Sequence, residues 1–185
     1  MARTSITPGQ WLKSLSACKD GVEWIGSKSV YFAWRYCQHA DYLCWLYGAL
    51  DPRLGVRSAV AIARHMVNGV WFDRRLEEIH DDLYRWAGKF PMDAHCLRRK
   101  AHIVQTELND HPLAKALTWA AVCSTANTPA LAGEAASLSC VASVESIPED
   151  KRTLVSQECA HLLQSVVSVN EVESAWKRVL RAHKR

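Results

Sequence analysis

Apolar residues recur along most of the chain at intervals of three and four, the period of an amphipathic α-helix. The clearest example is FDRRLEEIHDDLYRWAGKF, residues 72–90, where charged side chains occupy the face opposite the apolar one. Its predicted inward residues are Leu76, Ile79, Leu83 and Trp86. Few segments alternate with the period of two that half-buried strands show, so the pattern predicts an all-α protein.

Residues that start and stop helices divide the chain into about eight to ten predicted helices. Thr7 followed by Pro8 is typical of a helix N-terminus, because Thr caps well and Pro is tolerated in the first turn. Further predicted N-caps are Ser29, Asp41, Asp73 and Asn170. Since no interdomain linker is evident, we expect a single-domain multi-helix bundle over residues 1–185, ending in a basic helix over residues 170–185.

Helical spacing also predicts which residues form the core. Residues 112–144 are rich in Ala, Ser, Thr and Cys, and such small residues allow two helices to pack closely at the centre of a bundle. Elsewhere the predicted inward residues are Val56, Val60, Ala63, Val67, Val70, Leu97, Ala101, Val104, Leu108, Leu154, Cys159, Leu162, Leu163 and Val166. The tryptophans with the same prediction are Trp11, Trp24, Trp34, Trp45, Trp71 and Trp86.

Composition narrows the class of protein. Hydrophobic residues make up 49% of the 185 residues, which is too many for a mostly disordered chain. No apolar run approaches the roughly 18–20 residues that span a bilayer. The N-terminal MARTSITPGQWLKSL has no continuous apolar region and predicts no secretory signal. We therefore expect a cytoplasmic protein without a membrane partner.

The seven cysteines are scattered and form no CxxC pair, so we expect small buried hydrophobes rather than disulfides or a zinc ribbon. Cys37, His39 and Cys44 are close in sequence, but a zinc site needs four converging ligands. No phosphate-binding glycine loop, GxSxG or HExxH motif is present. The sequence therefore predicts no metal site, no cofactor and no catalytic residue, and an enzyme using Cys37, His39 and Asp41 is the least favoured hypothesis.

The positive charge of the chain is mild and local. The net charge is +4, and much of it lies in the C-terminal WKRVLRAHKR. Together with the run Arg98, Arg99 and Lys100, this helix makes nucleic-acid binding an alternative function. No helix-turn-helix, RNP or zinc-finger signature accompanies these residues, so this alternative stays second.

Two charged surfaces are the candidate contacts for a protein partner. One is the acidic set on the amphipathic helix, whose default interpretation is a solvated face. The other is the basic C-terminal helix. We also expect two of the eight tryptophans to be exposed and to anchor a partner, because Trp and Arg are enriched in binding hot spots. The residues concerned are Glu77, Glu78, Asp81, Asp82, Trp71, Trp176, Lys177, Arg178 and Arg181.

The N-terminal LSACKDGVEWIGSKSVYFAWRYCQHADYLCWLYGAL resembles a group of uncharacterised phage and prophage proteins, themselves loosely similar to immunity proteins proposed in bacterial toxin systems. The matching positions are Ala17, Cys18, Gly21, Trp24, Trp34, Cys37, Asp41, Leu43, Trp45 and Leu46. His39 stands where the group has Arg. The resemblance implies an α-helical, phage-linked accessory protein that works by binding another protein.

The first functional hypothesis is therefore a non-enzymatic protein that binds and inhibits a host or toxin protein. Its specific form is inhibition of a bacterial defence system, such as a CRISPR or nuclease complex. A homodimer is a further possibility for a helical domain so rich in tryptophan.

Overall fold

A computed structural model of the chain describes residues 6–68, 70–145 and 147–184, which form eleven helices and no strand. The helices are α1 Pro8–Ser14, α2 Lys19–Ile25, α3 Val30–Tyr36, α4 Ala40–Leu50, α5 Pro52–Met66, α6 Arg74–Ala87, α7 Ala94–Glu107, α8 Pro112–Ser124, α9 Pro129–Glu145, α10 Glu149–Val166 and α11 Val169–His183. The all-α multi-helix bundle is confirmed. The count is slightly above the predicted eight to ten, since three separate seven-residue helices precede α4.

Short polar residues start several helices as predicted. The Thr7 hydroxyl accepts a hydrogen bond from the Gln10 amide at 3.2 Å, and the Gln10 side chain accepts one from the Thr7 amide at 2.9 Å. This capping box satisfies two backbone donors that the first turn of α1 would leave without partners. Ser29 and Asp73 cap α3 and α6 in the simpler way, each accepting one backbone bond.

Two predicted caps are wrong. Asp41 lies inside the first turn of α4, and His39 precedes that helix without a side-chain capping bond. The cap of α11 is Ser168 rather than Asn170, because Ser168 forms a capping box with Glu171. A capping box outcompetes a nearby single cap because it satisfies two donors at once.

The bundle is centred on α4, α8 and α9, and α9 packs extensively against the other two. The inward positions of α9 are small: Ala132, Gly133, Ala135, Ala136, Ser139, Cys140 and Ala142. The buried Ser139 hydroxyl donates to the Ala116 carbonyl of α8 at 2.7 Å. At Gly48 of α4, an added β-carbon would lie only 2.5 Å from the Ala132 carbonyl oxygen. The prediction that residues 112–144 lie at the bundle centre is confirmed.

Most predicted inward positions are buried, including Leu76, Ile79 and Leu83 of α6. The others are half-buried, including five of the six tryptophans, except for two exposed residues: Val70 is 79% exposed and Leu154 is 60% exposed. Val70 lies beyond the end of α5, where the helical period no longer governs which way side chains face. Leu154 lies in the first part of α10, a stretch whose neighbours are also exposed to solvent.

The cysteines divide into two environments. The exposed ones are Cys18 and Cys96, and the buried ones are Cys37, Cys44, Cys123, Cys140 and Cys159. Burial raises the pKa of the Cys37 thiol to about 11 and the pKa values of Cys123 and Cys159 to about 12. Because the thiolate is the reactive form, the buried thiols are protected both by access and by protonation.

We expect a thiol reagent such as DTNB to modify two cysteines rapidly in the folded protein at about pH 8. All seven should react once the protein is unfolded in guanidinium. The absorbance of the released thiolate, with and without denaturant, measures both numbers. Rapid modification of a third cysteine in the folded protein would contradict the burial described above.

Candidate functional site

The acidic side chains predicted as a contact surface lie on α6, and two of them are paired within the molecule. Glu78 lies 3.3 Å from Arg74 one turn earlier and 3.8 Å from Lys100 of α7. Asp82 accepts a hydrogen bond from Lys100 at 3.0 Å. Lys100, which the sequence analysis also made a candidate for nucleic-acid contact, thus partly neutralises the acidic surface. The two predicted surfaces partly cancel each other, because α6 and α7 pack side by side.

The remaining candidates near this helix differ in accessibility. Trp71, in the connection between α5 and α6, is partly buried rather than an exposed anchor. Its ring centroid lies 5.3 Å from that of the buried His80, and its buried indole N–H has no hydrogen-bond partner among the described residues. Nδ1 of His80 lies 2.9 Å from the carboxylate of Asp81. Glu77 and Asp81 remain accessible to a partner.

The basic C-terminal helix spans Val169–His183 and packs one side on the rest of the bundle. Val172 and Ala175 are buried on that side. Trp176 is only partly exposed, because its ring packs edge to face on Trp11 of α1 with centroids 5.5 Å apart. Such an aromatic pair stabilises the fold, so Trp176 anchors α11 to the bundle.

The cations of α11 have different environments. Arg178 donates to the Asp51 carboxylate at 2.7 Å, across to the junction of α4 and α5. Lys177 and Arg181 are exposed, and neither forms an ion pair within the described ranges. Two of the three predicted basic contacts are therefore available to a partner.

Arg98 and Arg99 are exposed on α7 and border a wide groove toward α8. Trp119 and Lys115 of α8 line the same groove, and Lys115 also pairs with a glutamate of α9 at 3.3 Å. No acidic residue of the described ranges lines it. The groove thus combines cations with an aromatic ring, as surfaces that bind single-stranded nucleic acid do.

Aromatic side chains lie on α2 and α3, and we call Trp24, Tyr31, Phe32 and Tyr36 the α3 aromatic face. The Trp24, Phe32 and Tyr36 rings contact one another in series, whereas Tyr31 lies on the adjoining side of α3, with its ring centroid 6.2 Å from that of Trp34. Tyr31 is 46% exposed and Tyr36 58% exposed. The Phe32 ring centroid lies 4.8 Å from that of Tyr36 and 5.9 Å from that of Trp24. The Lys28 ammonium lies 5.4 Å and 5.1 Å from the Trp24 and Phe32 ring centroids. Large aromatic side chains beside cations are the composition of protein-binding hot spots.

The sequence places these aromatics outward because α3 buries a narrow stripe of small residues. Val30, Ala33 and Cys37 recur at helical spacing, and all three are buried. Trp34 is held differently, since its indole N–H donates to the Val167 carbonyl at 2.7 Å and ties α3 to the end of α10. The buried stripe of Val30, Ala33 and Cys37 was the sequence signal that could have shown that Tyr31 faces outward.

The cluster Cys37, His39 and Cys44 does not converge. The Cys37 thiol donates to the backbone carbonyl of His39 at 3.4 Å, while the exposed His39 ring stacks on Tyr42. Cys44 is fully buried, and that burial together with the neighbouring Cys140 raises its pKa. Within the described ranges, no group of three or more His, Cys, Asp or Glu side chains could hold a metal ion.

Asp41 carries a partly buried carboxyl group that forms no ion pair with any residue of the described ranges. Arg35 of α3, the arginine that precedes it in the sequence, is exposed and forms no ion pair with it. Burial raises the pKa of Asp41, while the backbone amides of Asp41 and Tyr42 and the charge of His39 offset this rise only in part. A desolvated charge of this kind costs stability, so it points to a role other than holding the fold.

No family model matches the chain, and no curated protein or solved structure matches it either. Among the described helices, none is both long and apolar enough to cross a membrane. The fold and surface therefore define an all-α protein with an exposed aromatic face, and the phage-protein resemblance stays a prediction.

Proposed function

We propose that this protein acts by binding another protein, and that the α3 aromatic face is the centre of the contact. The observation that carries the proposal is the exposure of both Tyr31 and Tyr36 on one short helix, with the Tyr36 ring packed beside Phe32. Covering such rings contributes roughly 25 cal/mol for each Å² of apolar surface buried. Fixing a tyrosine side chain on binding immobilises only two rotatable bonds, so it loses little conformational entropy, and this is why tyrosine is favoured in binding surfaces.

The charges around the face indicate the chemistry of the partner. The Lys28 ammonium lies over the Phe32 ring, and Arg35 is an exposed residue of α3. Neither side chain forms an ion pair within the described part of the chain. A partner surface that offers an apolar pocket bordered by Asp or Glu side chains would be complementary to both features. The accessible Lys177 and Arg181 of α11 extend the basic character, since α11 packs against α3.

The specific form of the proposal is a phage-linked, non-enzymatic accessory protein of the bacterial cytoplasm. It would bind and inhibit a host or toxin protein, such as a component of a CRISPR or nuclease defence complex. The resemblance of residues 15–50 to phage and prophage proteins supports this form. Inhibition by stoichiometric binding requires a hot spot of the kind that the α3 aromatic face presents.

The test compares the tagged wild type with the double variant Tyr31→Ala and Tyr36→Ala, both expressed in a bacterial host. Proteins retained after a high-salt wash are identified by mass spectrometry, and the affinity of any stoichiometric partner is measured by calorimetry. We expect the double variant to lose at least about 2 kcal/mol of binding free energy, roughly a thirtyfold weaker complex.

The matched control is Phe90→Ala, which removes an aromatic ring that is 62% exposed outside α2 and α3. This control should keep the partner and the wild-type affinity. The proposal fails if the wild type retains no stoichiometric protein or if the double variant retains it equally well. A dimer of this chain that the double variant dissociates would assign the α3 aromatic face to self-association instead.

Nucleic-acid binding is the second candidate, and the groove between α7 and α8 favours it. Its Arg98, Arg99 and Trp119 supply cations and a stacking surface. In a parallel purification at low salt, this function predicts recovered nucleic acid whose binding weakens steeply as salt rises. Arg98→Ala combined with Arg99→Ala should then release it, whereas the tyrosine double variant should not.

A further inference from the structure

A small cavity lies among α1, α2, α3, α4 and α9, and it shares Trp24 with the α3 aromatic face. Its volume is about 140 Å³, and most of its walls are apolar. Cys18, an exposed residue, lines one side, so the cavity reaches the surface there. An apolar cavity of roughly 150 Å³ is known to accept one benzene ring, which sets the size of a fitting ligand.

The cavity contains a single acidic side chain and no basic one. Asp41 lines its wall, and no Lys, Arg or His of the described ranges does so. The Cys37 thiol on the same wall stays neutral near pH 7, because burial raises its pKa to about 11. Lys28 lies over the Trp24 ring and His39 stacks on Tyr42, but neither residue lines the cavity. Among the described residues that line it, Asp41 therefore supplies the one full charge near pH 7, and a carboxylate attracts a cation.

Three aromatic residues complete the wall around this carboxylate. Trp24, Tyr42 and Trp45 all line the cavity. The faces of aromatic rings carry partial negative charge, so they attract cations and reject anions. The attraction is strongest when the cation leaves water on binding, as it would here.

We propose that this cavity binds a methylated organic ammonium ion, with the positive group beside Asp41 and against Trp24, Tyr42 and Trp45. Methylation fits the walls, because a quaternary ammonium group donates no hydrogen bonds. A primary ammonium would bring three donors, and besides Asp41 the described side chains on the wall that can accept a hydrogen bond are Ser137, Tyr42 and two cysteines. This binding function goes beyond protein recognition by α3 and does not depend on it.

The test titrates choline into the full-length protein at about pH 8, followed by calorimetry and by NMR of the indole N–H signals. The comparison ligand is its neutral isostere, in which a tert-butyl group replaces the trimethylammonium group. We expect choline to bind at least about tenfold more tightly, with shifts at the Trp24 and Trp45 signals. Equal affinity for the two ligands, or no binding of choline, would overturn the proposal.

Two variants make the charge and ring contributions separable. Asp41→Asn should weaken choline about tenfold and leave the isostere unchanged, whereas Asp150→Asn, an exposed carboxylate on α10, should change neither. Tyr42→Leu keeps the apolar volume and should weaken choline by about threefold or more. Variants that are checked by circular dichroism to be folded and that bind choline like the wild type would disprove the site.

The methylated ammonium group could come from a small molecule or from a modified protein. A short peptide that carries trimethyllysine, titrated in parallel, distinguishes the two sources. Preference for choline assigns the cavity to a free metabolite, and preference for the peptide assigns it to a methylated protein.

Discussion

Replacing Gly48 with valine is expected to destabilise the protein by about 3 kcal/mol or more. A β-carbon at this position would lie 2.5 Å from the Ala132 carbonyl oxygen and 2.9 Å from the Ala136 β-carbon. Backbone atoms cannot move aside as the tip of a flexible side chain can, so α4 and α9 would have to separate. Typical domains are stable by only about 5–15 kcal/mol, and the loss should be plain in urea unfolding followed by circular dichroism.

Gly88→Ala is the matched control for this substitution. Gly88 ends α6 with φ −77°, which alanine adopts without strain, and the nearest atom to its β-carbon would be a carbonyl oxygen at 3.3 Å. The change in unfolding free energy should stay within about 1 kcal/mol. Equal stability of the Gly48 variant and the wild type would show that α4 and α9 are not packed as closely as described.

Truncating Leu163 to alanine should cost about 2–4 kcal/mol of unfolding free energy. Leu163 lies on α10 and is fully buried, so the substitution removes apolar contacts and leaves a cavity that its neighbours fill only in part. The midpoint of urea unfolding should fall, while the slope against urea should stay near the wild-type value.

Leu154→Ala on the same helix removes the same atoms from a side chain that is 60% exposed. Its cost should stay within about 0.5 kcal/mol. A large loss at Leu154, or a small one at Leu163, would mean that α10 presents a different face to the bundle. The pair thus tests the orientation of α10 directly.

Local signals predicted much of the fold. Caps such as Thr7, Ser29 and Asp73 could be recognised because they act within one turn of their own helix. The small-residue region at the bundle centre could be recognised from composition. The exposure of Leu154 could not be predicted from the sequence. Helical spacing shows which residues share one face of a helix, but not how far along that face the neighbouring helices cover it.

The candidate site was harder to predict than the fold, since it depends on contacts between distant segments. The acidic residues of α6 were identified as charged, but their pairing with Lys100 depends on how α6 and α7 dock. Trp176 was predicted to be exposed because its neighbours are basic, whereas a residue 165 positions earlier, Trp11, covers it. Asp41 was interpreted as a cap, and only the surrounding helices reveal it in a cavity wall.

The link between α3 and the far end of the chain bears on how the protein is made. Trp34 donates to the carbonyl of Val167, 133 residues later, and α3 also packs against α11. During synthesis from the N-terminus, these contacts cannot form until almost the whole chain has left the ribosome. The helix that carries the α3 aromatic face is therefore among the last to be fixed in place, and a protein truncated before α10 ends would present those rings without their support.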